Sequence, residues 1–225
     1  MCTLTFIPLS NKNFILTNNR DENRERKSSI APKIYNVNHI NVAYPKDMEK
    51  GGTWIATSQN HFTLCLFNGA KTPHVSKKSY RKSRGLVLLD FFNFNNINQF
   101  VMNYDFQGIE PFTLIALQHT NQLKLYEITW NGKRIQLIER DSNKLYIWSS
   151  VLLYNDEIRK RRREIFDKFI HEKSDDTLES DILKFHGLDN FELSNQNMKI
   201  NTENIATVSI TQVVKNNFEI LEDYD

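Results

Sequence analysis

The second residue of the chain is a cysteine, one of only two among 225 residues. Removal of Met1 would leave Cys2 with both a thiol and a free α-amine. An α-amino group has an unperturbed pKa of about 7.7–8.0, so near neutral pH it can act as the base for the adjacent thiol. Cys2 is therefore a candidate nucleophile that supplies its own base. The alternative is a small apolar residue on a strand.

The stretch TNNRDEN, from Thr17 to Asn23, holds the second group of candidates. It follows a hairpin predicted from the strands CTLTFI and FILT around the turn PLSNKN. Because the second strand of a hairpin ends beside the start of the first, Arg20 and Asp21 are expected near Cys2. Arg20 would stabilise a thiolate, and Asp21 would orient the α-ammonium. The alternative is a polar loop whose surface ion pair contributes about 0–1 kcal/mol.

A third group lies in DMEKGGTWIA and LCLFNGA. Gly51 and Gly52 predict a tight backbone conformation before a strand. Asn68 ends the next strand, where its side-chain amide and a neighbouring backbone N–H are the groups that an oxyanion hole uses. Asn-Gly is equally typical of a turn, so this pattern leaves both interpretations open.

The elements that must position these residues follow from hydrophobic periodicity. TWIATSQNHFTLCLF predicts a hairpin turned at Gln59 and Asn60. Two helices follow, and we expect Asn95 to cap the second. Their predicted apolar stripes are Leu86, Leu89 and Phe92 in the first, and Ile97, Phe100, Val101 and Tyr104 in the second.

The second half of the chain predicts more strands and two more helices. PFTLIALQ, QLKLYEITW and KRIQLIE read as strands, the last two joined at Asn131 and Gly132. A long amphipathic helix carries the basic run Arg159–Arg163, interpreted as a solvated face. A short helix ends at Gly187, and NIATVSITQVV and NFEIL are strands. The apolar side of the long helix is predicted to be Ile158, Ile165, Phe166, Phe169 and Ile170. This order predicts an α+β fold of antiparallel sheets covered by helices.

Length, charge and hydrophobicity do not favour a nucleic-acid binder or a membrane-spanning protein. The length fits one domain over residues 1–225, and the net charge of +2 does not favour a nucleic-acid binder. No segment reaches the roughly 20 apolar residues of a membrane span, and no signal peptide is evident. Two distant cysteines suit a reducing compartment, so we expect a cytoplasmic protein. The histidines show no metal-ligand spacing, and His74 is expected in a surface loop.

The segments MCTLTF, NRDE, PKDMEKGGTWIA, CLFNG and SRGLVLLDFF together resemble the NRDE family, also called the transport and Golgi organisation protein 2 family. The resemblance implies a four-layer αββα fold similar to N-terminal-nucleophile hydrolases, related to choloylglycine hydrolase and penicillin V acylase. In that group a processed N-terminal cysteine attacks an amide carbonyl. It further implies that Arg20 and Asp21 position Cys2 and that Asn68 serves the oxyanion hole. Candidate binding residues beside these are Asn19, Glu22, Trp54, Ser150 and Asn204.

Two departures from the group's pattern leave two functions open. Ser149 or Ser150 stands where the hydrolases place another asparagine, and Asn204 stands where an arginine is expected. The first function is a cysteine hydrolase that acts on the amide or acyl bond of a small molecule and requires no cofactor. The alternative is a non-catalytic protein that binds an acyl chain, an acyl-CoA or haem in the same pocket, with Cys2 as a haem ligand.

Overall fold

The computed structural model describes residues 3–9, 12–26, 28–59, 61–172, 178–187, 198–215 and 220–221. The chain divides into two compact units, residues 1–26 with 143–225 and residues 27–142. Each unit holds one antiparallel sheet with helices. That residues 1–225 behave as one domain stays a prediction.

The described strands and helices alternate in groups along the chain. The strands are β1 Thr3–Pro8, β2 Phe14–Asn23, β3 Ser29–Val37, β4 Ile40–Asp47, β5 Ile55–Ser58, β6 Phe62–Asn68, β7 Phe112–Gln118, β8 Lys124–Trp130, β9 Ile135–Arg140, β10 Tyr146–Ser149, β11 Ile205–Lys215 and β12 Ile220–Leu221. The helices are α1 Arg84–Asp90, α2 Ile97–Asn103, α3 Asp156–His171 and α4 Leu178–His186, with a short 3-10 helix at Phe91–Asn93.

The first unit contains a sheet in the order β10, β1, β2, β11, β12. Strand alternation gives β1 and β2 two different faces. On one face Ile7 and Ile15 pack with Phe166 of α3 and Phe185 of α4. Burial of this apolar cluster holds both helices on that face, which we call the helix face. The opposite face carries Leu4, Phe6 and Leu16 in β1 and β2, all buried.

The long helix α3 begins and ends as its sequence predicts. The Asn155 side chain accepts a hydrogen bond from the Ile158 backbone N–H at 2.9 Å, a standard N-cap. Ile165, Phe166, Phe169 and Ile170 contact the core of the unit, as predicted, while Ile158 packs in a smaller cluster with Tyr154 and Ile200. The interpretation of the whole basic run as solvated is wrong at Arg162, which is 0% exposed.

The second unit contains a seven-stranded sheet in simple chain order, from β3 to β9. Its helices pack on it through aromatic rings. The centre of the Phe91 ring lies 5.0 Å from the centre of the Phe62 ring on β6 and 5.0 Å from that of the Phe100 ring on α2. The hairpins predicted for β5–β6 and β8–β9 are confirmed, although Asn60 lies outside the described residues.

The predicted helical stripes of this unit need correction. In α1 the buried residues are Val87 and Leu88, whereas Leu86 and Leu89 are partly exposed. The helix ends at Asp90 and a 3-10 turn follows, so the 3.6-residue period does not extend to Phe92. Asn96 rather than Asn95 caps α2, since its side chain accepts from the Gln99 backbone N–H.

The hairpin β3–β4 was not predicted from the sequence. Its two-residue turn is Asn38 and His39, with φ of 49° and 64°, the positive values that a type I′ turn requires. Glycine, the usual marker of such a turn, is absent. Strand β3 also contains Pro32, which is tolerated because β3 lies at the edge of the sheet.

Two sequence motifs meet through their glycines. A Cβ atom on Gly52 would lie 2.4 Å from the backbone carbon of Gly85, and one on Gly85 would lie 2.7 Å from the Thr53 carbonyl oxygen. The Thr53 N–H donates to the Gly85 carbonyl oxygen at 3.3 Å. The motifs GGTW and SRG therefore share one structural role, which is a direct contact between a loop and the start of α1.

We expect Gly52→Ala to lower the free energy of unfolding by about 1–3 kcal/mol, because the added methyl group overlaps backbone that cannot rotate away. The control is Gly187→Ala, whose nearest atoms lie at 3.5 Å and whose φ is not left-handed. Urea denaturation of both variants checks this. Equal midpoints for the two variants would contradict the contact as described.

Candidate functional site

The register of β1 brings the predicted residues of the first unit together. Thr3 lies opposite Asn19 on β2 and opposite Ser149 on β10. The stretch NNRDE is therefore part of a strand, not the loop that the alternative interpretation required. Alternation places Asn18 and Arg20 on one face of β2, and Asn19 and Asp21 on the helix face.

Asp21 is fixed by a residue that the sequence did not indicate. The Thr207 hydroxyl on β11 donates to Asp21 Oδ1 at 2.5 Å and accepts from the Ile200 backbone N–H at 2.8 Å. Asp21 is 3% exposed. The carboxylate is thus held in one orientation at the end of the sheet. Nothing local marks Thr207, because it lies 186 residues from Asp21 in the chain.

Arg20 is as deeply buried as Asp21, at 3% exposed. Its guanidinium lies 4.0 Å from Glu22, at the outer limit of an ion pair, and Glu22 also lies 3.7 Å from Arg26. Glu22 therefore divides its charge between two arginines. Of the predicted binding residues, Glu22 contacts the candidate cation Arg20 directly.

Asn19 is the centre of a hydrogen-bond network on the helix face. Its Nδ2 donates to the backbone oxygens of His186 at 3.0 Å and Met198 at 2.8 Å. Its Oδ1 must therefore accept from His186 Nδ1, at 2.6 Å. This leaves His186 Nε2 as an acceptor for the Thr5 hydroxyl, at 2.8 Å. Every polar atom of the imidazole is satisfied in the neutral form.

Burial lowers the pKa of His186 to about 3, and the nearby Arg162 guanidinium acts in the same direction. His186 was not predicted as a site residue, because the spacing of the histidines in the sequence is not that of metal ligands. Its role here is structural, since it ties the end of α4 to β1 and β2.

Arg162 reaches the same region from α3. It donates from its guanidinium to the Thr3 hydroxyl, and the guanidinium lies 3.9 Å from the centre of the Tyr154 ring. A planar guanidinium over an aromatic face is a favourable cation–π arrangement. Thr3, the first described residue, is thereby anchored by a buried positive charge.

The two positions that depart from the hydrolase pattern differ in placement. Ser150 directly follows β10 and is buried, and its hydroxyl accepts from the Leu152 backbone N–H at 3.3 Å. Asn204 is exposed in the turn before β11, where its backbone oxygen accepts from the Arg24 N–H at 3.1 Å.

Trp54 and Asn68 belong to the second unit. Trp54 is a core residue whose carbonyl accepts from the Leu66 N–H at 2.8 Å. Asn68 ends β6 opposite Phe112. The neighbouring N–H, that of Gly69, donates to the Pro111 carbonyl at 3.0 Å, so it is not the free donor that the sequence suggested. That the Asn68 side chain serves an oxyanion hole stays a prediction.

The structure describes one of the two cysteines. Cys2 lies outside the described residues. Cys65 is fully buried on β6, and burial raises the pKa of its thiol, which disfavours the reactive thiolate. Cys65 is therefore an unreactive thiol inside the folded second unit.

His74 lies in the loop between β6 and α1, as predicted. Its Nε2 lies 3.3 Å from Glu110 Oε1, and Arg84 lies 3.1 Å from Glu110 Oε2. Within the described ranges, no three His, Cys, Asp or Glu residues cluster as metal ligands would. None of the described helices has both the length and the apolar character to cross a membrane.

The low pKa of His186 predicts a pH-dependent stability. The unfolded histidine titrates near 6.5 and the folded one near 3, so below pH 6.5 the unfolded state takes up a proton that the folded state does not. Stability from this group is complete above pH 6.5. It is lost as the pH falls towards 3, by at most about 1.4 kcal/mol per pH unit.

We expect His186→Gln, whose amide keeps one donor and one acceptor, to show a smaller loss of stability between pH 6.5 and 4 than the wild type. Urea denaturation at each pH measures it. His171→Gln, at an exposed position at the end of α3, is the control. If His186→Gln loses stability with falling pH as steeply as the wild type, the assignment of a neutral, buried imidazole to His186 is wrong.

Comparison with known proteins places this geometry in a known fold. An N-acylethanolamine-hydrolyzing acid amidase ortholog from Caenorhabditis elegans superimposes with a TM-score of 0.55 and 11% identity, covering 95% of this chain and 92% of that chain. The C2A mutant of the conjugated bile acid hydrolase from Clostridium perfringens gives 0.58 and 11%, covering 100% and 92%. Penicillin V acylase from Agrobacterium tumefaciens gives 0.47 and 8%, covering 95% and 79%.

At these identities the likeness concerns the fold alone. It confirms the predicted α+β fold of the N-terminal-nucleophile hydrolase type. Among curated protein sequences the chain has no match. The family model described as Transport and Golgi organisation 2 matches residues 1–220, which confirms the resemblance seen in the sequence motifs. The chain belongs to the Transport and Golgi organisation 2 family.

Proposed function

We propose that the protein is a thiol-dependent amide hydrolase in which Met1 is removed and Cys2 attacks a small-molecule amide. The observation that carries this proposal is the register of β1. Thr3 pairs with Asn19 and with Ser149. The next residues along the two partner strands are Arg20 and Ser150, both buried and polar, and we infer that they flank the nucleophile.

The proposed roles follow from the faces of β2. The Arg20 side chain lies on the face of β2 opposite to the helices, and its guanidinium would stabilise the Cys2 thiolate. Asp21 lies on the helix face, held by Thr207, and would bind the α-ammonium that ends the strand. One residue thus supports the sulfur and the other supports the amine.

The reaction then proceeds in two balanced steps. The thiolate attacks the amide carbon, and the tetrahedral intermediate collapses to a thioester as the leaving amine takes a proton from the α-ammonium. The α-amine then accepts a proton from water, whose oxygen attacks the thioester. The carboxylic acid leaves, and the thiol is regenerated.

The first described residue of the strand is held rigidly, which favours the proposal. Arg162 binds the Thr3 hydroxyl, and the Thr5 hydroxyl binds His186. A reacting group needs a position fixed within a fraction of an ångström by its supporting residues. Two structures with this fold are those of an N-acylethanolamine-hydrolyzing acid amidase ortholog and of the C2A mutant of a conjugated bile acid hydrolase, whose natural second residue is therefore also a cysteine.

We expect the intact mass of the purified protein to lack Met1, and Cys2 to react with iodoacetamide much faster than Cys65, because Cys65 is buried with a raised pKa. Peptide mapping after brief labelling measures both rates. Cys2→Ala should lower turnover of N-acyl amides by at least about 10³-fold.

Cys65→Ala is the matched control, and it should retain both fast labelling and turnover. Retention of Met1 in active protein would exclude the mechanism. Equal labelling rates for the two thiols in the folded protein would also contradict it.

A non-catalytic binding role is the second candidate. It is favoured by three observations at positions where the hydrolase role needs polar groups. The Gly69 N–H already donates to the Pro111 carbonyl, the Ser150 hydroxyl already accepts from the Leu152 N–H, and Asn204 is exposed. The proposed ligands are an acyl chain, an acyl-CoA or haem. Of the described histidines in the first unit, His186 has both ring nitrogens in hydrogen bonds and His171 is exposed. We therefore keep Cys2 as the proposed haem ligand.

Titration with an acyl-CoA and with haem, using wild-type and Cys2→Ala protein, separates the two functions. The binding role predicts saturable binding of an acyl-CoA that Cys2→Ala retains, with no turnover of amides or thioesters. Absence of saturable binding for both ligands removes this candidate.

A further inference from the structure

Strand β10 carries two aromatic side chains that neither proposal has used. Tyr146 and Trp148 are two residues apart, so they lie on one face of the strand. Their ring centres are 5.1 Å apart and their ring planes differ by 18°, which is a stacked arrangement. Both side chains are half-buried, and β10 is the last strand on its side of the sheet. We call this pair the aromatic platform.

The aromatic platform lies on the face of the sheet opposite to the helices. Ile147 stands between the two residues in the sequence and packs into the apolar cluster of the helix face. Strand alternation therefore directs Tyr146 and Trp148 to the other face. The register agrees, because Tyr146 lies opposite Phe6 and Trp148 lies opposite Leu4, both residues of that other face.

The aromatic platform is also close to the residues that the proposed function assigns to the nucleophile. Cys2 directly precedes β1, the strand next to β10. Ser150, which we infer to flank this nucleophile, follows Trp148 by two residues, about 7 Å of strand. Diagonal neighbours on adjacent strands are about 7–8 Å apart, within reach of aromatic side chains. A group joined by a short linker to the carbonyl under attack therefore reaches Trp148.

Buried rings support the aromatic platform from the core side. The ring centre of Tyr146 lies 6.4 Å from that of Phe6, and the Phe6 ring centre lies 6.2 Å from that of Phe14. Phe6 and Phe14 are both 0% exposed. The platform thus rests on packed core, while part of its surface contacts water. A surface that is already held in place loses little conformational freedom when a ligand binds.

We propose that Tyr146 and Trp148 bind an aromatic ring in the acyl part of the substrate, so that the enzyme prefers arylalkanoyl amides. This inference rests on the proposed hydrolase function. An aliphatic chain would also bury apolar area on the platform. An aromatic ring gains in addition from offset-stacked or edge-to-face contact with the two rings.

Two compounds that differ only in their ring test this inference: N-methylhydrocinnamamide, which carries a phenyl ring, and N-methylcyclohexanepropanamide, which carries a cyclohexyl ring. The cyclohexyl compound is the more hydrophobic, so burial of apolar area alone would favour its binding. Calorimetry with Cys2→Ala protein measures binding without turnover. We expect this protein to bind the phenyl compound more tightly by about 2- to 10-fold, the usual effect of an aromatic pair.

Variants of the platform show whether these two rings cause the preference. Trp148→Leu and Tyr146→Leu should each reduce it, because leucine keeps an apolar contact but has no ring, whereas Trp148→Phe should keep it. Tyr35→Leu is the matched control. Tyr35 is half-buried and stacks on Tyr44 in the other unit, with ring centres 4.4 Å apart. Its loss should leave the ratio of the two affinities unchanged.

A purely structural role of the aromatic pair predicts a different result. Trp148→Leu and Tyr146→Leu would then lower the urea midpoint while the ratio of affinities stays that of the Cys2→Ala protein. This result would overturn the inference, as would equal or weaker binding of the phenyl compound by the Cys2→Ala protein, or binding of neither compound.

Failure of the hydrolase proposal is seen in a separate measurement, because Cys2 of the wild type would then label no faster than Cys65. A phenyl preference that depends on the ring of Trp148 would still support the aromatic platform as a ligand site in that case.

Discussion

The pairing of the start of β1 with the end of β2 is the constraint on which the candidate site depends. It places Thr3 between Asn19 and Ser149, and it determines which residues can lie beside the amino end of the strand. A shift of one residue would exchange the two faces of the sheet. Asn18 and Arg20 would then meet the apolar helix face, and Ile15 would leave it.

The two faces of β1 and β2 differ in how their buried polar side chains are hydrogen-bonded. On the helix face, Asn19 and His186 satisfy each other and link three elements of the unit. On the other face, Asn18 Oδ1, Ser209 Oγ and Thr211 Oγ1 are buried without a hydrogen-bond partner among the described residues. The network of Asn19 and His186 therefore holds β1, β2 and α4 together.

Local patterns were sufficient for much of the fold. Alternation and turn residues predicted the hairpins β1–β2, β5–β6 and β8–β9, and periodicity predicted the apolar side of α3. The β3–β4 hairpin was not predicted because its left-handed turn residues are Asn38 and His39 rather than glycine. The roles of Thr207, His186 and Arg162 were not predicted for another reason. Each acts on β1 or β2 from the far end of the chain, and such pairings leave no local signal in the sequence.

The bond between Thr5 and His186 joins residues 181 positions apart. During synthesis β1 therefore gains its last partners only after residues 27–142 and the following helices have been made. At about 5–20 residues per second, this takes on the order of ten seconds. Throughout that interval the first strand remains without β10 and α4, so Thr3 and Thr5 stay exposed to water until the last third of the chain has been made.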